Sequence, residues 1–247
     1  MNNNKIALVT GASRGIGADI AKKLASAGYH TIINYNKSEE KAVEVLTEIR
    51  NDGFSCELYK CDVSKSNEVN EMFKYIKMCY GKIDVLVNNA GISITKAFQD
   101  LQDEEWDEIV ATNLSSVFYC SREAIKLMIA RETFGKIINI SSMWGLVGGS
   151  MESHYSATKA GIIGLSKALA KEVAPQNITV NVIAPGAIYT DMMKELGEDT
   201  LNYLESEIPL GKIGKVDDIS NMVIYLASDK ADYITGQVFS INGGMVI

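Results

Sequence analysis

Tyr155 and Lys159 stand four residues apart in Tyr155-Ser156-Ala157-Thr158-Lys159. On a helix, such residues share a face. A free phenol, with a pKa near ~10, is a weak acid–base catalyst at neutral pH. An ammonium one turn away would favour the phenolate and lower that pKa. Ser142 closes an apolar run thirteen residues before the tyrosine and could donate a hydrogen bond to a carbonyl oxygen. Asn113, inside a long helical stretch, could hold a water that links Lys159 to solvent. A Tyr–Lys pair alone is common on solvated helix faces. His154 does not extend the set, because neighbours on a helix point about 100° apart; it reads as an exposed or packed residue. His30 opens a strand and reads as structural. With two histidines and no ligand-like cluster, no metal site is expected.

A second group lies near the N-terminus, in Thr10-Gly11-Ala12-Ser13-Arg14-Gly15-Ile16-Gly17. Glycines placed between a strand and a helix let the backbone turn tightly and approach a pyrophosphate seated on the helix N-terminus. The same glycines would serve close helix–strand packing. The spacing is G-x-x-x-G-x-G rather than G-x-G-x-x-G. After the next strand, Asn34-Tyr35-Asn36-Lys37 lacks the acid that would bind a ribose 2′-hydroxyl and repel a 2′-phosphate. Arg14 and Lys37 gather positive charge there, which favours NADP(H) over NAD(H). Asp62-Val63 follows the third strand and could face an adenine, or Asp62 could cap the next helix. Asn88-Asn89-Ala90-Gly91 follows the fourth: the amides could tie strand ends together, and Ala90-Gly91 leaves room for a ribose. A positive nicotinamide ring near Tyr155 would reinforce the effect of Lys159 on the phenol.

The elements that must position these residues alternate. Apolar, β-branched runs occur at 5–10, 31–35, 56–61, 83–88, 136–141, 178–184 and 237–241. Near-continuous apolar runs suit strands buried on both faces, as in a parallel sheet covered by helices. Helical stretches separate them. One begins at Ser38, a plausible N-cap followed by Glu39 and Glu40. It continues through Ala42, Val43, Leu46 and Ile49 and closes at Gly53. Strand–helix alternation predicts right-handed crossovers, a Rossmann-type doubly wound α/β sheet, and ligands beyond the strands' carboxyl ends. Every candidate residue above lies just after a strand or on the helix that follows one.

The 247 residues show no linker or repeat, so a single domain spanning 1–247 is expected. With 47% hydrophobic and 22% charged residues, the chain is not of a disordered class. A net charge of −7 argues against non-specific nucleic-acid binding, and any phosphate ligand needs a local positive site. Cys56, Cys61, Cys79 and Cys120 form no CxxC pair and read as free thiols. No signal-peptide core and no membrane-spanning run is present, so a cytoplasmic protein without membrane contact is expected.

Together, Thr10-Gly11-x-x-x-Gly15-x-Gly17, Asp62, Asn88-Asn89-Ala90-Gly91, Asn113, Ser142, Tyr155-x-x-x-Lys159, Pro185-Gly186 and Thr190 resemble the short-chain dehydrogenase/reductase family. The resemblance covers essentially the whole chain. It implies a seven-stranded sheet of order 3-2-1-4-5-6-7 and an Asn113–Ser142–Tyr155–Lys159 tetrad with Tyr155 as acid. It also implies a backbone contact from Ile188 to the nicotinamide carboxamide, a lid after Gly186 and a homotetramer. Within the family, Thr10–Gly17, Asn177–Asn181 and the Gly243–Val246 tail are most similar to bacterial 3-oxoacyl-[acyl-carrier-protein] reductases. These deliver hydride from NADPH to a 3-oxo carbon. Their basic docking surface for acyl carrier protein would correspond to Arg131 and to Gln176, which is not basic. The lid segment 191–207 holds Asp191, Glu195, Glu198, Asp199, Glu205 and Glu207 against Lys194, which would repel an acidic partner unless the acids only solvate exposed helices. Ser142-Met143-Trp144-Gly145 and Glu152 resemble reductases of the aminopentanone group on a lysine of elongation factor P. A carboxylate there would suit that amine, or would only favour its helix N-terminus. A small diketone or steroid is a further ketone alternative, and a non-catalytic NADP(H) sensor is the remote one.

Overall fold

A computed structural model describes residues 5–131, 134–190, 193 and 197–247. Six strands run through the first three quarters of the chain: β1 (Lys5–Val9), β2 (Tyr29–Tyr35), β3 (Cys56–Lys60), β4 (Val85–Asn88), β5 (Gly135–Ile140) and β6 (Ile178–Pro185). The short β7 (Ile188–Tyr189) and β8 (Gly214–Lys215) pair with each other, and β9 (Val238–Ile241) completes the main sheet. That sheet has seven strands in the order β3-β2-β1-β4-β5-β6-β9, with every neighbouring pair parallel. The order reverses between β1 and β4, so the crevice expected to take a ligand opens where the glycine turn and the Asn88–Gly91 turn emerge side by side.

The helices are α1 (Gly15–Ser26), α2 (Glu39–Asn51), α3 (Ser66–Tyr80), α4 (Asp103–Val110), α5 (Ser116–Arg131), α6 (Trp144–Val147), α7 (Ser153–Val173), α8 (Glu198–Glu207) and α9 (Val216–Ala227). Successive residues of a strand face opposite sides. Ala7 and Val9 therefore enter one apolar layer with α1, α2 and α9, while Ile6 and Leu8 enter the other with α3, α5 and α7. The central β5 and β6 are buried along their whole lengths, as their unbroken apolar runs require; the edge strand β3 is fully buried only at Cys56.

Two local expectations change. In α2 the inward face is Ala42, Val45 and Ile49, whereas Val43 is 44% exposed, because it lies about 100° around the helix from Ala42. Ser38 holds the N-cap position but makes no side-chain cap bond. Gly53 does take the left-handed conformation, at φ +81°. The long helix expected around Asn113 is interrupted: residues Ala111–Ser115 form a π-helical turn between α4 and α5. Cys56, Cys61 and Cys120 are buried and Cys79 is exposed, all four as free thiols. No helix among the described residues is long and apolar enough to cross a membrane, and no group of His, Cys, Asp and Glu is arranged to hold a metal ion.

Candidate active site

The turn after β1 shows the packing reading of its glycines directly. A Cβ on Gly11 would lie 2.8 Å from the Ala90 Cα, and one on Gly17 would lie 2.4 Å from the Asn89 Nδ2. These two positions are glycine so that the β1 and β4 turns can touch. Asn89 Nδ2 donates to the carbonyls of Thr10 (3.0 Å) and Gly11 (3.1 Å), and Thr10 Oγ1 accepts from the Asn89 and Ala90 amides. Gly15 differs: at φ +55°, a Cβ there would meet only Thr190, at 3.6 Å. Its backbone is open to the cleft at the start of α1, where the helix end carries positive partial charge. Ala12 is buried and Ile16 packs against the core below, while Ser13 is half-buried. Arg14 precedes α1 in extended backbone; like Lys37, it is exposed and forms no ion pair among the described residues.

Asn34 is 1% exposed; its Nδ2 donates to the carbonyls of Tyr59 and Cys61, and its Oδ1 accepts from the Gly11 amide. It is a strut joining the glycine turn to β2 and β3. Asp62 Oδ1 accepts from the amide and hydroxyl of Ser64, forming an Asx turn ahead of α3, whose N-cap is Lys65. Burial raises this carboxyl, but the Ser64 bonds and Lys65 outweigh it and hold the group below the usual range. Val63 is buried beside it. Asn88 does tie strand ends together: its Nδ2 donates to Asn139 Oδ1 at 2.7 Å, and Asn139 Nδ2 continues to Ser166.

The four tetrad residues converge beyond β4 and β5. Ser142, 8% exposed, follows β5 and hydrogen-bonds the Tyr155 phenol, while its Oγ accepts from the Trp144 amide. Lys159 is 4% exposed, and its Nζ donates to the Ile140 carbonyl at 2.9 Å, 5.4 Å from the Tyr155 ring centroid. Asn113 is fully buried; its Oδ1 accepts from the Ile92 amide (2.8 Å), and its Nδ2 donates to the Ile92 carbonyl (2.9 Å) and to Thr158 Oγ1 (3.3 Å). Both ends of the amide are thus committed to Ile92 and Thr158. A Cβ on Gly91 would sit 3.4 Å from Asn113 Oδ1 and 3.5 Å from Lys159 Nζ. Glycine there keeps a hollow in front of the lysine.

Burial pushes the Tyr155 phenol up to about 12; Ser142 pulls it down and the Glu152 carboxylate adds to the rise. Burial also drives Lys159 down to about 8. Thr158, unremarkable in the sequence, joins the set by donating to the Tyr155 carbonyl while accepting from Asn113.

Glu152 is the N-cap of α7 yet makes no side-chain cap bond; its carboxylate accepts only a 3.5 Å contact from Thr95 and forms no ion pair among the described residues. His154 is packed rather than exposed, at 1%. Ile188 is buried in β7, opposite Gly214. Of the lid acids, Glu198, Asp199 and Glu207 are exposed on α8 and Glu205 is half-buried; Asp191, Lys194 and Glu195 lie outside the described residues, as does the Arg131 side chain. Gln176 is exposed just after α7.

Residues 11–246 match the family model described as Enoyl-(Acyl carrier protein) reductase. The chain is 46% identical over 242 residues to the 3-oxoacyl-[acyl-carrier-protein] reductase FabG of Staphylococcus epidermidis, covering 98% of this chain and 99% of that protein. It is 46% identical over 245 residues to the FabG of Staphylococcus aureus strain N315, covering 99% of each. With the FabG of Aquifex aeolicus it shares 42% over 242 residues, covering 98% of this chain and 97% of that protein.

Proposed function

The chain belongs to the short-chain dehydrogenase/reductase family, and from that premise we propose that it reduces a 3-oxoacyl thioester, carried by acyl carrier protein or coenzyme A, to the 3-hydroxyacyl form. The observation that carries this reading is the buried group of Ser142, Tyr155 and Lys159, with the Lys159 Nζ 5.4 Å from the Tyr155 ring centroid. The family model's description names an enoyl reductase and the relatives' names a 3-oxoacyl reductase. A phenol and a hydroxyl aimed at one point suit an oxygen that gains charge, as a ketone oxygen does. Ser142 donates to that oxygen and Tyr155 gives it a proton, while Lys159 offsets the phenolate left behind.

Members of this family use a nicotinamide dinucleotide, and the open Gly15 backbone, the facing Thr190 and the Gly91 hollow fit one. NADP(H) is the form favoured by Arg14 and Lys37 and by the lack of an acid at the end of β2. When bound, NADPH supplies the hydride that reaches the carbonyl carbon. The residues that would hold it are Gly11–Gly17, Val63, Asn89–Gly91, Tyr155, Lys159 and the Ile188 backbone, with Asp62 beyond its turn. A cytoplasmic homotetramer built from one domain completes the reading.

A second ketone is favoured by one observation: the Glu152 carboxylate, one turn before Tyr155, neither caps its helix nor pairs with a cation. It suits a substrate bearing an amine, such as the aminopentanone on elongation factor P. NADPH oxidation with acetoacetyl-CoA and with an amine-bearing ketone tests both. Turnover of the first, lost by about 10²–10⁴-fold in Tyr155→Phe, is expected. Preference for the second by kcat/KM would move the assignment to the aminoketone. Equal inertness of wild type and Tyr155→Phe on both ketones would leave only an NADP(H) sensor. Equal kcat/KM with NADH would overturn the cofactor choice.

A further inference from the structure

Ser141 follows β5 and is 3% exposed, yet its side chain is no member of the tetrad. Its neighbour Ser142 serves the Tyr155 phenol. Ser141 reaches one turn further along the same helix: its Oγ donates to the Lys159 carbonyl at 2.8 Å. One residue earlier, the Ile140 carbonyl accepts from Lys159 Nζ at 2.9 Å. The dipeptide Ile140-Ser141 therefore grips Lys159 at both ends, giving one hydrogen bond and receiving one. Within a helix a carbonyl already accepts from the amide four residues on, and a second lone pair remains for another donor. The helix does not need the Ser141 bond in order to form, so the bond calls for another account.

The packing around that carbonyl is built for the contact. A Cβ on Gly145 of α6 would lie 2.8 Å from the Lys159 carbonyl carbon, 2.9 Å from its oxygen and 2.9 Å from Ser141 Oγ. Glycine there lets α6 settle over the bond. The Ser141 amide donates to the Ile183 carbonyl of β6 at 2.7 Å, so the hydroxyl is carried on backbone that the sheet fixes. On the other side, Thr158 Oγ1 accepts from Asn113 Nδ2, and a Cβ on Gly161 would lie 3.0 Å from Leu114 Cδ2. Asn113 and Leu114 belong to the π-helical turn. The turn of α7 that carries Lys159 is thus held to the sheet by Ser141 and to the π-helical turn by its neighbours. A lysine stem is flexible. The placement of Nζ at the Gly91 hollow therefore depends on where the lysine's own backbone is held.

We infer that Ser141 is a positioning residue for the reaction: its hydroxyl latches the Lys159 turn of α7 to the end of β5 and so sets Nζ at the Gly91 hollow, which fits the cofactor. Ser141 acts through Lys159 and not on the reacting atoms. Without the hydroxyl, both tasks of the lysine weaken together, the holding of the cofactor and the offsetting of the phenolate. The second task rests on the ketone-reductase reading; the first needs only a nicotinamide cofactor.

A double-mutant cycle on cofactor binding tests this without substrate, using NADPH or NADH, whichever wild type binds more tightly. Ser141→Ala should weaken binding roughly three- to tenfold by calorimetric titration, and should weaken it no further in a Lys159→Met background. Equal losses in the two backgrounds, or none in either, overturn the proposal. Ser141→Cys keeps the volume with only a weak donor, and takes the place of Ser141→Ala if that variant does not fold. In kinetics, Ser141→Ala should lower kcat about tenfold or more, with the ketone KM within about twofold of wild type. The alkaline limb of its kcat/KM profile should move to higher pH, because a lysine held less closely favours the phenolate less. Superimposable pH profiles would also overturn the proposal. A wild type inert toward the ketone would remove the ketone-reductase reading, and the binding cycle would still decide the role of Ser141.

Discussion

Tyr155 and Lys159 occupy the same dry surroundings and are displaced in opposite directions, because burial penalises whichever form is charged. For the proposed role of the tyrosine this is useful, since a phenol held up to about 12 would keep its proton until a carbonyl takes it. For the lysine it is a cost. Its folded pKa of about 8 lies below the ordinary 10.5, so the folded state binds fewer protons between those values. Stability therefore rises as pH climbs from about 8 to about 10.5, and at pH 7 the full penalty stands. Lys159→Met should abolish reduction yet raise the unfolding free energy by about 1–3 kcal/mol at pH 7, after the loss of the bond to Ile140. Thermal unfolding at pH 7 and pH 10 checks this: the gap between variant and wild type should narrow at the higher pH, and a gap independent of pH would refute it. Type and spacing singled out Tyr155 and Lys159 as one helix face, and the fold brings them together with Ser142. The direction of Tyr155's shift was not legible in the sequence, because burial is a property of the folded surroundings, and neither was Asn34's role. Asn34 sits near the end of β2, and the partners of its amide on β3 and the glycine turn come from chain segments distant in sequence.

At the scale of elements, the alternation of apolar runs and helical stretches foretold the doubly wound sheet, because strands buried on both faces leave an unbroken apolar record, while its strand order came from the family resemblance. Boundaries moved by a residue or two, and the π-helical turn at Ala111–Ser115 left no trace, since its composition is that of an ordinary helix. The glycines of the first turn show how one motif divides its labour. Gly17 is closed in by Asn89 and Gly11, whereas Gly15 faces the cleft. Gly17→Ala should therefore push the β1 and β4 turns apart. NADPH affinity should weaken by more than about tenfold and the protein should lose about 1–3 kcal/mol, as overpacked sites do. Gly15→Ala should be milder in stability, at about 1 kcal/mol, the strain of its positive φ. Calorimetric titration and melting of both variants decide between them; equal losses would show that the two glycines share one role.

At the scale of the molecule, the net charge of −7 is unevenly placed. Arg14 and Lys37 stand on the side of the glycine turn, while the exposed Asp103, Glu104, Asp107 and Glu108 of α4 and the acids of α8 form no ion pairs among the described residues. An anionic substrate carrier approaching either helix meets like charge, and salt should relieve it. Raising ionic strength from about 0.02 to 0.2 M should lower KM for a carrier-borne 3-oxoacyl group and leave a neutral thioester analogue unaffected. A KM that climbs with salt would place the docking contacts on a basic surface instead. The chain's two tryptophans are likewise placed unequally: Trp106 is 41% exposed on α4, and Trp144 lies two residues beyond Ser142, against Gly149. Their indoles therefore sample different solvents, and only one stands at the mouth of the cleft. In a Trp106→Phe variant the remaining emission comes from beside the tetrad, so the protein carries its own optical gauge of what enters there, with no dye attached.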